Sequence, residues 1–149
     1  MSSIASLYIV KADDLPAILD AVDAELTWEA VEQYGAEPDE DYHWSGNVMS
    51  SVLDNLAARD VILESSRLRE AAETINRDLD YTILIDGEAK GLLDRLDPAG
   101  YEPGALVAGT VALRLDGEEA RHATDDTLSL LRETITRLAD DDILLIHIG

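Results

Sequence analysis

The chain has 149 residues, 46% of them apolar, and carries 32 acids against 11 bases for a formal charge of −21. That length and apolar content suit a single globular domain over residues 1–149 with one proper core, needing no disulfide or metal to stay folded. The charge argues against nucleic acid and anionic membranes as ligands, because no basic stripe is available to neutralise phosphates, and the absence of cysteine excludes disulfides, thiolate metal sites and cysteine nucleophiles.

The first residues, MSSIASLYIVKADDLP, hold no base ahead of the short apolar run and no small-residue cleavage pattern, and no apolar run approaches the roughly 20 residues of a membrane span. A cytoplasmic protein is the expectation. Ile4 to Val10 predicts a first strand. Asp13 or Asp14 then caps a helix with Pro16 in its first turn, where a missing N–H costs nothing. Leu15, Ile18, Leu19, Val22 and Leu26 give that helix one apolar face. The pattern shifts near Trp28, so the helix continues with a twist or breaks in two, and Gly35 is its stop.

Residues 36–42 form an acidic loop. Ser45 caps a helix through Val48, Met49, Val52, Leu53 and Leu56. Val61 to Leu63 is ambiguous between strand and helix, and Leu68, Ala72, Ile75 and Leu79 mark a further helix. A second strand ends at Asp86-Gly87. Leu92, Leu93 and Leu96 predict a short helix stopped at Asp97-Pro98, since the residue before a proline is pushed out of the α region. Residues 98–104 form a loop, and 105–115 can be strand or helix. Thr124 caps a helix with Asp125 and Asp126 in its first turn, Arg137 in its last, and a seam of Leu128, Leu131, Ile135 and Leu138. Ile143 to Ile148 is continuously apolar, which predicts a strand covered on both faces. The class is therefore α/β or α+β, a sheet of three or four strands packed with about five helices.

No catalytic or cofactor signature emerges, so no cofactor is expected and no catalytic residue is assigned. Ser45-Gly46 lacks the context of a nucleophile elbow, and Gly87–Gly91 lacks the Lys-Ser/Thr pair of a phosphate loop. His147 lies inside the last strand. It reads as a core or edge histidine bonded to backbone, or as a catalytic histidine oriented by an acid from Asp140 to Asp142. Asp39, Asp41 and His43, spaced by two, could hold a divalent cation in a metal-dependent, hydrolase-type enzyme. The plainer reading of the same residues is a solvated acidic loop.

The charge map is more informative. Twelve acids and one base, Lys11, give residues 1–58 a formal −11, and no base falls between Lys11 and Arg59. Glu25–Glu29 and Glu29–Glu32 are like-charge pairs that each cost about 0.2–0.5 kcal/mol on a helix. One explanation is salt adaptation of a halophile-like composition, in which nine arginines outnumber two lysines. The other is a non-enzymatic interaction module that presents an anionic face, including Asp20, Asp23, Glu29 and Glu32, to a basic protein partner. The composition does not set the oligomeric state. The opening strand with its acidic leucine helix, and the closing helix with a strand ending in Ile148-Gly149, resemble small bacterial YfbM-like proteins; that resemblance uses no motif and implies no activity.

Overall fold

The computed structural model describes residues 3–38, 41–102, 105–107 and 115–149. Its organising element is the apolar C-terminal run, which becomes the middle strand of a three-stranded sheet. Strand β1 is Ala5–Lys11, β2 is Thr82–Ile85 and β3 is Asp142–Ile148, in the order β1-β3-β2 with both pairings antiparallel. Five α-helices are found among the described residues: α1 Leu15–Ala21, α2 Thr27–Tyr34, α3 Gly46–Ala57, α4 Arg69–Ile75 and α5 Gly117–Thr136. The chain is a single α+β domain.

Because side chains alternate across a strand, β3 supplies two cores. Leu144, Ile146 and Ile148 join Ala5, Leu7 and Ile85 against α3 and α5. Ile143 and Leu145 join Val10 and Leu84 against α1, α2 and α4. Leu144, Leu145 and Ile146 are completely buried, as a strand covered on both faces requires.

The register also settles which main-chain groups face outward. Ile4 and Gly149 exchange hydrogen bonds of 2.7 and 3.0 Å. Alternation then turns Ser6, Tyr8 and Val10 toward β3 and leaves Ala5, Leu7 and Ile9 facing the outer edge. Ile9 uses its outward groups in a bridge with Ala36, at 2.7 and 2.9 Å.

The first helix does break in two. Residues Val22–Ala24 tighten into a 3-10 turn, and Glu25 takes a left-handed conformation at φ 58°. Leu26 is consequently half exposed rather than on the buried face, and Glu25 no longer shares a helix with Glu29. Gly35 ends α2, but in an extended conformation rather than a left-handed one.

Several local expectations need correction. Thr124 does not cap a helix: α5 begins seven residues earlier, where the Asp116 carboxylate accepts from the Glu119 N–H at 2.7 Å. Thr124 lies within α5, its hydroxyl donating to the Ala120 carbonyl at 2.8 Å. Ser45 and Asp14 precede their helices without a side-chain cap bond. Gly87–Leu96 is a 3-10 helix capped by Asp86, and Val61 to Leu63 is irregular. Of the uncertain segment 105–115, Ala105–Val107 is a 3-10 turn, and 108–114 lie outside the described residues. Among the described residues, no helix is long and apolar enough to cross a membrane.

Candidate partner-binding surface

The acids of the N-terminal third are carried by α1, the following turn and α2. Leu15, Ile18, Val22, Ala30 and Val31 bury the inner faces of these elements. Asp20, Asp23, Glu29 and Glu32 are all exposed, and none makes an ion pair or hydrogen bond among the described residues. The one base of this third is already engaged. Lys11 Nζ lies 2.6 Å from Asp142 and 3.5 Å from Asp141, so it neutralises acids of the C-terminal strand instead.

Tyr8 lies beside the acids Glu37 and Glu32 on this side of the sheet. Its hydroxyl donates to Glu37 at 3.4 Å. Burial pushes the phenol pKa up, and the charges of Glu37 and Glu32 raise it further. Trp28 of α2 stands edge-on to the Tyr8 ring, with centroids 5.6 Å apart, and reaches His147 at 5.5 Å. Sequence reasoning missed Tyr8, Trp28 and Glu37 as neighbours of the acidic face. Strand alternation alone could have turned Tyr8 toward α2.

A groove of about 240 Å³ runs beside the outer edge of β1, lined by Ile4 to Leu7 with Glu37, Pro38, Asp41, Tyr42 and Leu130. The loop beyond it is pinned to α5. Tyr42 Oη and Thr127 Oγ1 are 2.9 Å apart, and Trp44 Nε1 donates to Asp126 at 2.8 Å. Burial pushes the Tyr42 phenol up to about 12.

The metal-ligand expectation rested on Asp39, Asp41 and His43. Asp39 lies outside the described residues, and Asp41 is exposed. His43 stacks near Trp44, with ring centroids 5.1 Å apart, and its Nε2 is 4.0 Å from Asp126. Among the described residues, no three His, Asp or Glu side chains gather closely enough to hold a metal ion.

His147 is half-buried at the polar end of the sheet, between Ser6 on β1 and Thr82 on β2. Its Nδ1 is 3.0 Å from Thr82 Oγ1. The acids proposed as its orienter, Asp140 to Asp142, sit at the far end of β3. Five residues of strand, about 17 Å, separate His147 from Asp142. His122 approaches Glu118 at 3.9 Å, one turn earlier on α5.

Compared with protein-family models, curated proteins and solved structures, the chain matches none.

Proposed function

We propose that this protein is an acidic, non-enzymatic interaction module that binds a basic protein partner through the surface of α1, α2 and the β1 edge. The observation that carries the reading is the state of the charges. Among the described residues, four exposed acids on α1, the following turn and α2 have no cationic partner, while Lys11 is held by Asp141 and Asp142 at the start of β3. Exposed like charges raise the free energy of the isolated fold, and a basic partner removes that cost on binding. Attraction between such a face and an oppositely charged partner also gives fast, salt-sensitive association.

The test is affinity capture from source-cell lysate on immobilised wild type and on the Asp20→Lys, Asp23→Lys, Glu29→Lys, Glu32→Lys variant. The wild type should retain a basic protein that molar salt releases, and the variant should not. Equal retention of that protein by both surfaces would remove this reading.

A further inference from the structure

Among the described residues, five large apolar side chains stand exposed: Ile4, Leu26, Tyr34, Ile62 and Tyr81. Two of them, Ile62 and Tyr81, flank one groove of about 110 Å³ between α3 and β2. Leu53 and Ala57 of α3, with Leu63 and Ile83, give this groove apolar walls.

Two acids complete its lining. Glu64 is half-buried, yet among the described residues its carboxylate has neither a hydrogen bond nor an ion pair. A partly desolvated carboxylate is costly to keep charged without a partner. The exposed Asp54 carboxylate accepts from the Tyr81 hydroxyl at 3.4 Å. Tyr81 is held there at φ 43°, in the left-handed region that a bulky residue seldom adopts, while its carbonyl accepts from the Ile148 N–H at 3.0 Å. Burial pushes the Tyr81 phenol up to about 12, and the charges of Asp54 and Glu64 add to the rise.

An apolar cleft bordered by two carboxylates and an aromatic ring suits an alkyl stem that ends in a cation. The stem lies along Leu53, Leu63 and Ile83, and the charged head reaches the carboxylates within cation–π range of the ring. About 110 Å³ is room for a chain of several water-sized groups. Carboxylates contributed by separate elements suit the compact ammonium of lysine, with its three rotatable donors, better than the planar fork of arginine.

We propose that this groove takes a lysine side chain of a basic protein, whose neighbouring apolar residues cover Ile62 and Tyr81. Those two exposed side chains favour a polypeptide over a free amine, which would leave them in water. The site shares no residue with the acidic surface of α1 and α2 and does not depend on it.

The test is an NMR titration of the protein's methyl groups with the end-blocked peptide Gly-Val-Lys-Val-Gly. Saturable shifts should centre on Leu53, Ile62, Leu63 and Ile83, with half-saturation below about 10 mM. Acetylating the lysine should weaken binding about tenfold or more. Glu64→Gln should weaken it about three- to fivefold, the scale of a partly exposed ion pair. That variant keeps the side chain's shape and has no hydrogen bond to lose; should its spectrum show misfolding, Asp54→Asn on the exposed rim gives the same readout. Equal affinity of the two peptides, or of the variant and the wild type, would overturn the proposal. Absence of shifts at these methyl groups would overturn it too, and shifts confined to α1 and α2 would do so while leaving the acidic-surface reading intact.

Discussion

The side chain of Asn76 brackets the backbone of Thr82, taking its N–H at 2.7 Å and giving a proton to its carbonyl at 3.0 Å, as a neighbouring strand would. Thr82 is almost completely buried, so neither backbone group has ready access to water if the amide is removed. Asn76→Ala should cost about 1–3 kcal/mol, the penalty for leaving buried polar groups unsatisfied. Urea denaturation would measure it. A loss below a few tenths of a kcal/mol would show that the bracket is not structurally important.

Asp86 closes a second long-range link. Its carboxylate caps the following 3-10 helix through the Glu88 N–H at 3.1 Å, accepts from Ser65 at 3.0 Å and pairs with Arg67 at 2.7 Å. Burial alone would raise its pKa, but the Glu88 N–H, Arg67 and Ser65 outweigh burial and hold the carboxyl below the usual aspartate value. The folded protein thus binds this proton less readily than the unfolded chain. The associated stability is present above the ordinary aspartate range and is lost as pH falls through and below it. Asp86→Asn should cost about 1.5–3 kcal/mol at pH 7, in line with hydrogen bonds to a charged group. It should also flatten the acid side of the stability–pH curve, as read by denaturation midpoints from neutral to about pH 3.

His147 should titrate below the ordinary histidine value of about 6.5. Burial disfavours the charged ring, and this outweighs the opposing effect of the Tyr81 and Asp80 carbonyls and the Asp80 charge. Thr82 Oγ1 donates to the Leu79 carbonyl at 3.3 Å, which leaves it to accept from His147 Nδ1–H. Because the folded pKa is lowered, this group's stability is complete above the unfolded histidine value and declines as pH falls from there toward the folded one. Proton NMR of the ring gives the titration midpoint. A midpoint above 6.5 would contradict the assignment.

If the acids of α1 and α2 are kept for binding, they should be unnecessary for folding. The fourfold charge reversal that destroys partner capture should leave the melting temperature unchanged or raise it in dilute buffer. On α2 the reversal only exchanges the Glu29–Glu32 pair for a like-charge pair of bases worth a similar amount, about 0.2–0.5 kcal/mol. The formal charge, however, changes from −21 to −13, four acids being replaced by four bases, which lessens the wider repulsion. The wild type should gain melting temperature between dilute and molar potassium chloride, since salt shortens the screening length to about 3 Å. Scanning calorimetry would check both. A marked fall in stability of the variant would mean that these acids support the fold.

What the sequence disclosed follows the range of the interactions. The run from Ile143 to Ile148 announced a strand buried on both faces, and the shift of periodicity near Trp28 pointed to a twist or a break, of which the break, at Glu25, is found. Both signals are local. The start of α5 was misplaced because Asp125 and Asp126 imitate a first turn behind Thr124, while the actual cap, Asp116, lay in an Asp-Gly pair that reads as a turn. The 3-10 course of Gly87–Leu96 carries the same leucine spacing as a short α-helix. The acidic face was legible as a gap between Lys11 and Arg59. Its neighbours were not: Lys11 meets Asp142 across 131 residues, and Tyr8 meets Glu37 across 29. The closure of the β2 edge by Asn76 and Ser65 depends on strand order, which one chain's periodicity does not encode.

The central claim is that the N-terminal acids form a binding surface, and the most direct measurement is the salt dependence of affinity for the basic protein captured on the wild type. Calorimetric dissociation constants would be taken from about 50 mM to 1 M potassium chloride, for wild type and for the variant reversed at Asp20, Asp23, Glu29 and Glu32. The account predicts steep weakening with salt for the wild type, and loss of binding by the variant even in dilute buffer. Affinity that is flat with salt and equal for both proteins would contradict it.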